Sequence, residues 1–312
     1  MPKLSERALQ VAKELERERD SKHEDEPHIV ASIDLPHAAL FMDGARTLGK
    51  ALVENVALTR LNVTACKLGT HSPAGDEGCK ILADHLTGHA SLAVLKLGSN
   101  TIGNEGVPHV LSLLRGTPTL TVLNLGDNGI TAEGCALIAE ALRQRAPGTH
   151  EEQAQSLTTL SLSRNPIGDG GAVALAAALP WNDTLTSLDL WGCGVDNAGA
   201  MAFVDCFSRR EGHNMALQSL NLWANPLGQP RGVGFLAQML SDIKAWKGPL
   251  KLRMGGYNHS HNPIVRSTEG TVKGYTAALA SRRAGLALDE EDPETRASRA
   301  KAQQMTWSDE DD

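Results

Sequence analysis

The sequence has no apolar run long enough to cross a membrane: its longest uninterrupted stretch, Ala172 to Leu179, falls far short of the roughly 20 residues that a membrane-spanning helix needs. Aromatic residues are few, with four Phe, five Trp and two Tyr in 312 residues. Basic residues are not in excess, since 30 Lys and Arg stand against 37 Asp and Glu, for a net charge of −7. That balance argues against binding through phosphates. We therefore expect neither a membrane nor a nucleic acid as partner.

Cysteine chemistry is also poorly represented. The chain has five cysteines, an odd number, and no CxxC pair, which argues against a disulfide framework and against a zinc site. The first twenty residues, MPKLSERALQVAKELERERD, lack the apolar core of a secretory signal peptide. We expect a cytoplasmic protein, either free or associated with the cytoskeleton.

A repeated phrase dominates the rest of the chain. The pattern LxxLxL opens six clear copies, which begin at Leu58, Leu92, Leu120, Leu157, Leu185 and Leu217. A divergent copy begins at Val30, and KGPLKLRMGG keeps only Leu250 and Leu252 in register, as a terminal cap strand would. Alternating leucines indicate a short strand with one buried face, and the helical stretch that follows supplies a second apolar stripe. One copy cannot close a core, so the copies must stack.

Two further positions recur in most copies. An asparagine follows the strand at Asn100, Asn128, Asn165 and Asn225, where its amide can bond the turns of adjacent copies as a ladder. Cys66 and Cys193 take the same position in two other copies. A glycine then precedes the helical stretch, at Gly106, Gly134, Gly171 and Gly199.

These residues resemble the leucine-rich repeats of the ribonuclease-inhibitor type, whose 28-residue unit reads LxxLxLxxNxIxxxGxxxLAxxL. The resemblance covers about residues 30–254. It implies an α/β solenoid shaped as a horseshoe, with a concave parallel β-sheet and convex helices, in proteins that mostly bind other proteins. The chain departs from the pattern at the two ladder cysteines and at GQPRGVG, which loosens the last repeat.

Composition divides the chain into four expected parts. They are a charged N-terminal helix or cap at 1–29, about seven repeats and a cap strand at 30–254, an irregular C-terminal cap with one helix at 255–288, and an acidic disordered tail at 289–312. In the first part, one helical face carries Leu4, Ala8, Val11, Ala12 and Leu15. The tail ends in Trp307 and Ser308 before four acids, which fits a solubilising tail or a linear motif.

No motif predicts an enzyme, a cofactor or a metal. GARTLGK, from Gly44 to Lys50, has the spacing of a phosphate-binding loop, but Ala51 stands where magnesium needs Ser or Thr, and the segment falls in the helix of the first repeat. His85 and His89 are four residues apart, yet a metal site needs three or four converging ligands. We expect His89 to lie beyond the end of its helix, as a solvated or capping residue.

The candidate binding site comes from the strand positions that face away from the helices. Six residues after the opening leucine the sequence reads Thr64, Gly98, Gly126, Ser163, Trp191 and Trp223, so two tryptophans should lie side by side, each exposed. Trp and Arg dominate interface energetics. The flanking residues that complete the predicted protein-binding site are Arg164, Asp189, Asn221, Lys251 and Arg253.

Several functions remain open at this point. We expect a non-enzymatic scaffold that binds a protein partner on the concave face. The tryptophans could instead shield the end of the solenoid against residues 255–288. Alternatives for the whole chain are a structural subunit of a cytoskeletal or axonemal complex, and a small-GTPase regulator of the Ran-activating type, which shares the repeat type and an acidic tail.

Overall fold

A computed structural model describes residues 9–15, 30–53, 55–69, 77–143, 156–208 and 216–226, together with the backbone of 251–255. All of these lie in one compact unit, Met1–Thr268, and a second unit, Glu269–Asp312, contains none of them. The predicted helix within 255–288 and the predicted acidic tail with Trp307 and Ser308 therefore fall outside the described residues.

The described strands form one parallel sheet in which each strand pairs with the next along the chain. The strands are β1 (Ser32–Asp34), β2 (Arg60–Asn62), β3 (Val94–Lys96), β4 (Val122–Asn124), β5 (Thr159–Ser161), β6 (Ser187–Asp189), β7 (Ser219–Trp223) and β8 (Lys251–Gly255). This is the α/β leucine-rich repeat solenoid that the repeats predict, including the divergent copy at β1.

One helix lies between each pair of consecutive strands from β1 to β7. These helices are α2 (Phe41–Leu52), α3 (Glu77–Leu86), α4 (Gly103–Gly116), α5 (Ala132–Leu142), α6 (Gly168–Ala178) and α7 (Asn197–Ser208), with a 3₁₀ turn at Leu179–Trp181. A further helix, α1, is described over residues 9–15 and precedes β1. The GARTLGK segment lies inside α2, as expected, so its first glycine is helical rather than the start of a phosphate-binding loop. No helix among the described residues is long and apolar enough to span a membrane.

The core consists of stacked leucine columns. The second residue of every strand from β1 to β7 is buried and pairs in register with its equivalent in the next strand. These residues are Ile33, Leu61, Leu95, Leu123, Leu160, Leu188 and Leu220. Strands rise about 3.3 Å per residue with alternating side chains, so the residues on either side face away from the helices. We call that surface the concave face.

The asparagine ladder is present and buried. Asn128 is typical: its Nδ2 donates to the carbonyls of Leu97 at 3.0 Å and Leu125 at 2.9 Å, and its Oδ1 accepts the N–H of Asn100 at 2.8 Å. The Asn165 amide repeats the arrangement one copy further on, accepting the N–H of Asn128 at 2.9 Å. Each amide therefore satisfies backbone groups of its own copy and of the preceding one.

Cysteine replaces the ladder asparagine with a donor alone. The thiols of Cys66 and Cys193 donate to the carbonyls of Leu35 at 2.9 Å and Leu162 at 3.2 Å. Because a thiol has no amide oxygen, the N–H of Asn165 bonds the Leu162 carbonyl, at 3.3 Å, instead of a ladder side chain. The two cysteines are structural, as the repeat pattern predicts.

The repeat glycine allows close contact between consecutive helices. A Cβ added to Gly171 would lie 2.7 Å from Cβ of Ile167 and 3.1 Å from Sγ of Cys135 in α5. A Cβ added to Gly199 would lie 2.8 Å from Cβ of Ala172 in α6. Any other residue would push the helices apart.

The N-terminal helix buries part of its predicted apolar face. Ala12 and Leu15 are buried and Val11 is half-buried, whereas Leu9 on another side of the helix is exposed. Leu4 and Ala8 lie outside the described residues.

Candidate functional site

Strands β6 to β8 bring three of the seven predicted site residues into one row. The register places Ser161 beside Asp189, Asp189 beside Asn221, and Asn221 beside Arg253. Lys251 pairs with Ser219 in the adjacent row. Only the backbone of β8 is described, so Lys251 and Arg253 are placed by register alone.

Asp189 is the centre of a hydrogen-bond network on the concave face. Its Oδ2 accepts the hydroxyl of Ser161 at 3.0 Å, and its Oδ1 accepts the amide N–H of Asn221 at 2.7 Å and the backbone N–H of Trp191 at 3.2 Å. The side chain is half-buried. Asp189 therefore fixes its neighbours as well as presenting charge, a role that its sequence position alone did not reveal.

The two tryptophans follow this row on neighbouring strands. Gly192 N–H donates to the Trp223 carbonyl at 2.9 Å, which continues the sheet pairing past the end of β6. Trp191 is 36% exposed, and Trp223 is less exposed than Trp191, because it is half-buried. The expectation that both are exposed is wrong for Trp223. Side chains on one face of paired strands lie about 5 Å apart, which is close enough for two large rings to shield each other from solvent.

Arg164 extends the site toward the turn after β5. It is exposed, and its backbone N–H donates to the Trp191 carbonyl at 2.7 Å. Its φ of 59° places it in the left-handed region, which Ala65, Ser99, Asp127 and Ala224 share at the same position of other copies. The backbone conformation of the repeat therefore sets the direction of the side chain at this position, whatever residue occupies it.

Small residues occupy the tryptophan column in the copies that precede β6. Gly98 and Gly126 occupy the tryptophan column, and a Cβ on Gly126 would lie 2.6 Å from Oγ of Ser163. The column therefore changes from bare backbone, through Ser163, to the large ring of Trp191. The register of the sheet places these glycines three and two strands before Trp191.

The other residues whose side chains could act as nucleophiles or metal ligands have structural roles. Burial raises the pKa of the Cys66 thiol to about 11, and those of the Cys135 and Cys193 thiols to about 12, so all three remain protonated. Among the described residues, no group of three or more His, Cys, Asp or Glu side chains could hold a metal.

His89 lies past the end of α3, as predicted, but it is buried rather than solvated. Its Nδ1 accepts the N–H of Ser91 at 3.4 Å, and burial lowers its pKa. Asn55 and Asn182 hold the same position before the opening leucine and accept the equivalent N–H groups, from Ala57 at 3.0 Å and Thr184 at 3.2 Å. The cleft of about 500 Å³ that His89 lines is therefore built around a structural turn.

Comparison with known proteins identifies the repeats directly. The family model described as leucine rich repeat matches four segments, at residues 88–107, 117–139, 153–176 and 182–204. The centrosomal protein of 78 kDa from Xenopus tropicalis is 38% identical over 89 residues, and the Tonsoku-like protein from Mus musculus is 34% identical over 107 residues. These matches cover 28% and 34% of this chain but only 12% and 8% of the relatives.

Two solved structures are also similar. One is the leiomodin-1 actin-binding site 2, with a TM-score of 0.33 and 18% identity over 59% of this chain and 88% of that chain. The other is the complex of TLR13 with ssRNA13, with a TM-score of 0.34 and 19% identity over 64% of this chain and 29% of that chain. Both TM-scores are low, so neither likeness carries an inference about partners.

Proposed function

Because the chain is a leucine-rich repeat protein, we propose that it is a non-enzymatic scaffold whose concave face, between β5 and β8, binds a protein partner. Leucine-rich repeat domains are generally protein-interaction modules. The observation that carries the proposal is the exposure of Trp191 beside Trp223, in a column that is otherwise Pro, Thr, Gly or Ser. Exposure of a large aromatic side chain to water is unfavourable in the free protein, and such side chains are typical anchors of interfaces.

The network around Asp189 supports this assignment. It holds Asn221 and the backbone of Trp191 in fixed positions before a partner arrives, so less ordering is required on binding. Arg164 is exposed at the edge of the same surface and can donate several hydrogen bonds to a partner carboxylate. Lys251 and Arg253 lie at register positions on β8, on the other side of the tryptophans from Arg164.

The test compares the proteins that co-purify with three versions of the full chain. These are the wild type, the Trp191→Ala variant and a matched Val56→Ala variant, whose valine is 75% exposed away from the concave face. Truncation of an anchor should cost about 2 kcal/mol of binding free energy, a roughly thirtyfold loss. We expect Trp191→Ala, but not Val56→Ala, to lose a defined set of proteins, with unchanged far-UV circular dichroism. An identical set for all three chains would refute the proposed site.

The likeness to the centrosomal protein of 78 kDa favours one second candidate, a structural subunit of a cytoskeletal assembly. Salt extraction of the native protein distinguishes the two. A built-in subunit stays in the insoluble cytoskeletal fraction at salt concentrations that release a transient binder, whereas a scaffold with an exchangeable partner enters the soluble fraction.

A further inference from the structure

One solvent-facing column of the helices changes character along the solenoid. It lies two residues after the repeat glycine and contains, in order, Arg46, Lys80, Pro108, Ala136, Val173 and Met201. The first five of these residues are exposed and Met201 is half-buried. In α2 and α3 the position is basic, and from α4 to α7 it is apolar.

The fold does not require apolar residues in this column. Arg46 and Lys80 occupy it in two copies with the same strand pairing and the same helix packing. Burial in the core therefore does not explain Val173, which is 46% exposed, or Leu137 on α5, which is 47% exposed. Exposed apolar patches on a soluble domain usually mark a binding surface.

These residues form one continuous band across the helices. Side chains advance about 100° per residue around a helix. The second and third residues after the repeat glycine therefore both point outward, the second toward the following helix and the third toward the preceding helix. Ala136 on α5 then lies toward Ala174 on α6, and Val173 lies toward α7. The close approach of the helices at Gly171 and Gly199 keeps the band unbroken. We name it the helix-face stripe, comprising Pro108, Ala136, Leu137, Val173, Ala174 and Met201.

The charges around the stripe are mostly acidic. Helix α4, which carries Pro108, contains one acid, Glu105, and one base, Arg115, and Arg143 directly after α5 lies 3.5 Å from Glu140. Helices α5, α6 and α7 contain four acidic residues and no Lys or Arg. The four are Glu133, Glu140, Asp169 and Asp205. By contrast, α2 and α3 carry both signs on their exposed positions. An apolar band with acids along it complements a surface that is apolar with basic residues along its sides.

We propose that the helix-face stripe is a second docking surface, separate from the concave face, and that it binds an amphipathic helix of a partner protein with Lys or Arg beside its apolar face. A second copy of this chain fits poorly, because two stripes in contact would place acids against acids. A helix matches the length of the band, since four packed helices at about 9 Å spacing span the apolar face of about 18 helical residues.

A pair of synthetic peptides tests the proposal on the full chain. The first has 18 residues of Leu, Ala and Lys, with Leu and Ala on one helical face and Lys beside it; in the second, Glu replaces every Lys. Fluorescence anisotropy at 150 mM NaCl measures binding of each labelled peptide. We expect the Lys peptide to bind at least tenfold more tightly than the Glu peptide.

Substitutions that the solenoid already accommodates locate the binding. The double variant Leu137→Thr with Val173→Lys places on the stripe the residue types that Thr47 and Lys80 show at the equivalent positions, so it should fold. It should bind the Lys peptide at least tenfold more weakly. The matched control, Val56→Lys, changes a more exposed valine elsewhere and should bind as the wild type does.

Three outcomes would overturn the proposal. One is equal binding of the Lys peptide by the double variant and the control, which indicates attraction to the acidic protein as a whole. A second is the absence of binding of either peptide to the wild type. The third is a concentration-dependent dimer in sedimentation velocity that the double variant abolishes, which assigns the stripe to a second copy. Unchanged thermal unfolding of the double variant excludes misfolding as the cause of lost binding.

Discussion

Replacing Asn225 with Ala tests how the ladder holds the site in place. The Oδ1 of this buried amide accepts the backbone N–H groups of Cys193 and Val195, each at 2.9 Å. Its Nδ2 donates to the carbonyls of Leu190 at 2.8 Å and Leu222 at 3.0 Å. These bonds join the copy that carries Trp191 to the copy that carries Trp223.

The cost follows from the donors that lose their acceptor. A buried N–H without a partner costs about 1–3 kcal/mol, so leaving the N–H groups of Cys193 and Val195 unpaired should lower the free energy of unfolding by about 2–6 kcal/mol. Whole domains are stable by only about 5–15 kcal/mol. Because solenoid copies contact only their neighbours, we expect the loss to concentrate in the β6–β7 copies.

Asn221 on the same strand provides the matched control. Its side chain is half-buried; it accepts the N–H of Trp223 at 3.1 Å and donates to Asp189 at 2.7 Å. Water can replace both partners, so Asn221→Ala should cost only about 0.5–1.5 kcal/mol. Urea unfolding followed by circular dichroism measures both variants, and amide hydrogen exchange at Cys193 and Val195 locates the effect. A loss for Asn221→Ala as large as that for Asn225→Ala would refute the reasoning.

The remaining predictions concern titration. Since burial raises the pKa of Cys66 to about 11 and of Cys135 and Cys193 to about 12, against 9.0 for an ordinary thiol, these thiols should resist a thiol reagent at pH 8 until urea unfolds the chain. The free energy of unfolding should also fall as pH rises from about 9 toward 12, because only the unfolded state releases these protons there. Burial lowers the pKa of His89, so acid should destabilise the protein below pH 6.5, where the unfolded state binds the extra proton. His89→Asn, which installs the residue found at Asn182, should reduce the drop in melting temperature between pH 7.5 and pH 5; an unchanged drop would contradict this.

The period of the sequence was sufficient to predict the fold. Inward leucines recur at fixed intervals, and a solenoid is the one arrangement that buries them all, so strand order and parallel pairing follow from the repeat. Even the divergent first copy was found from Ile33 and Leu35, which are both buried. Cys66 and Cys193 were placed in the ladder correctly because position, rather than chemical type, decides what a repeat residue contacts.

The site was predicted in position but not in detail. Counting six residues from each opening leucine correctly placed Trp191 and Trp223 on adjacent strands. That count takes no account of side-chain size, so the exposure predicted for Trp223 was too high. It also could not show that the Asp189 carboxylate accepts three donors, because that depends on side-chain rotamers. The helix-face stripe was not predicted, because the repeat pattern that specifies the fold defines only the inward face of each helix.

A regular solenoid makes each column its own control. Equivalent residues share backbone geometry and neighbours, so a change of residue type along a column reflects what the position meets outside the fold. Two columns change in overlapping copies: the concave column turns from glycine to tryptophan between β4 and β6, and the helix column turns from Lys80 to Pro108 and then to Val173. If each of the two surfaces binds its own partner, Trp191→Ala and Val173→Lys should abolish the binding of different ligands by the same chain. If one variant removes both, a single partner spans the two faces.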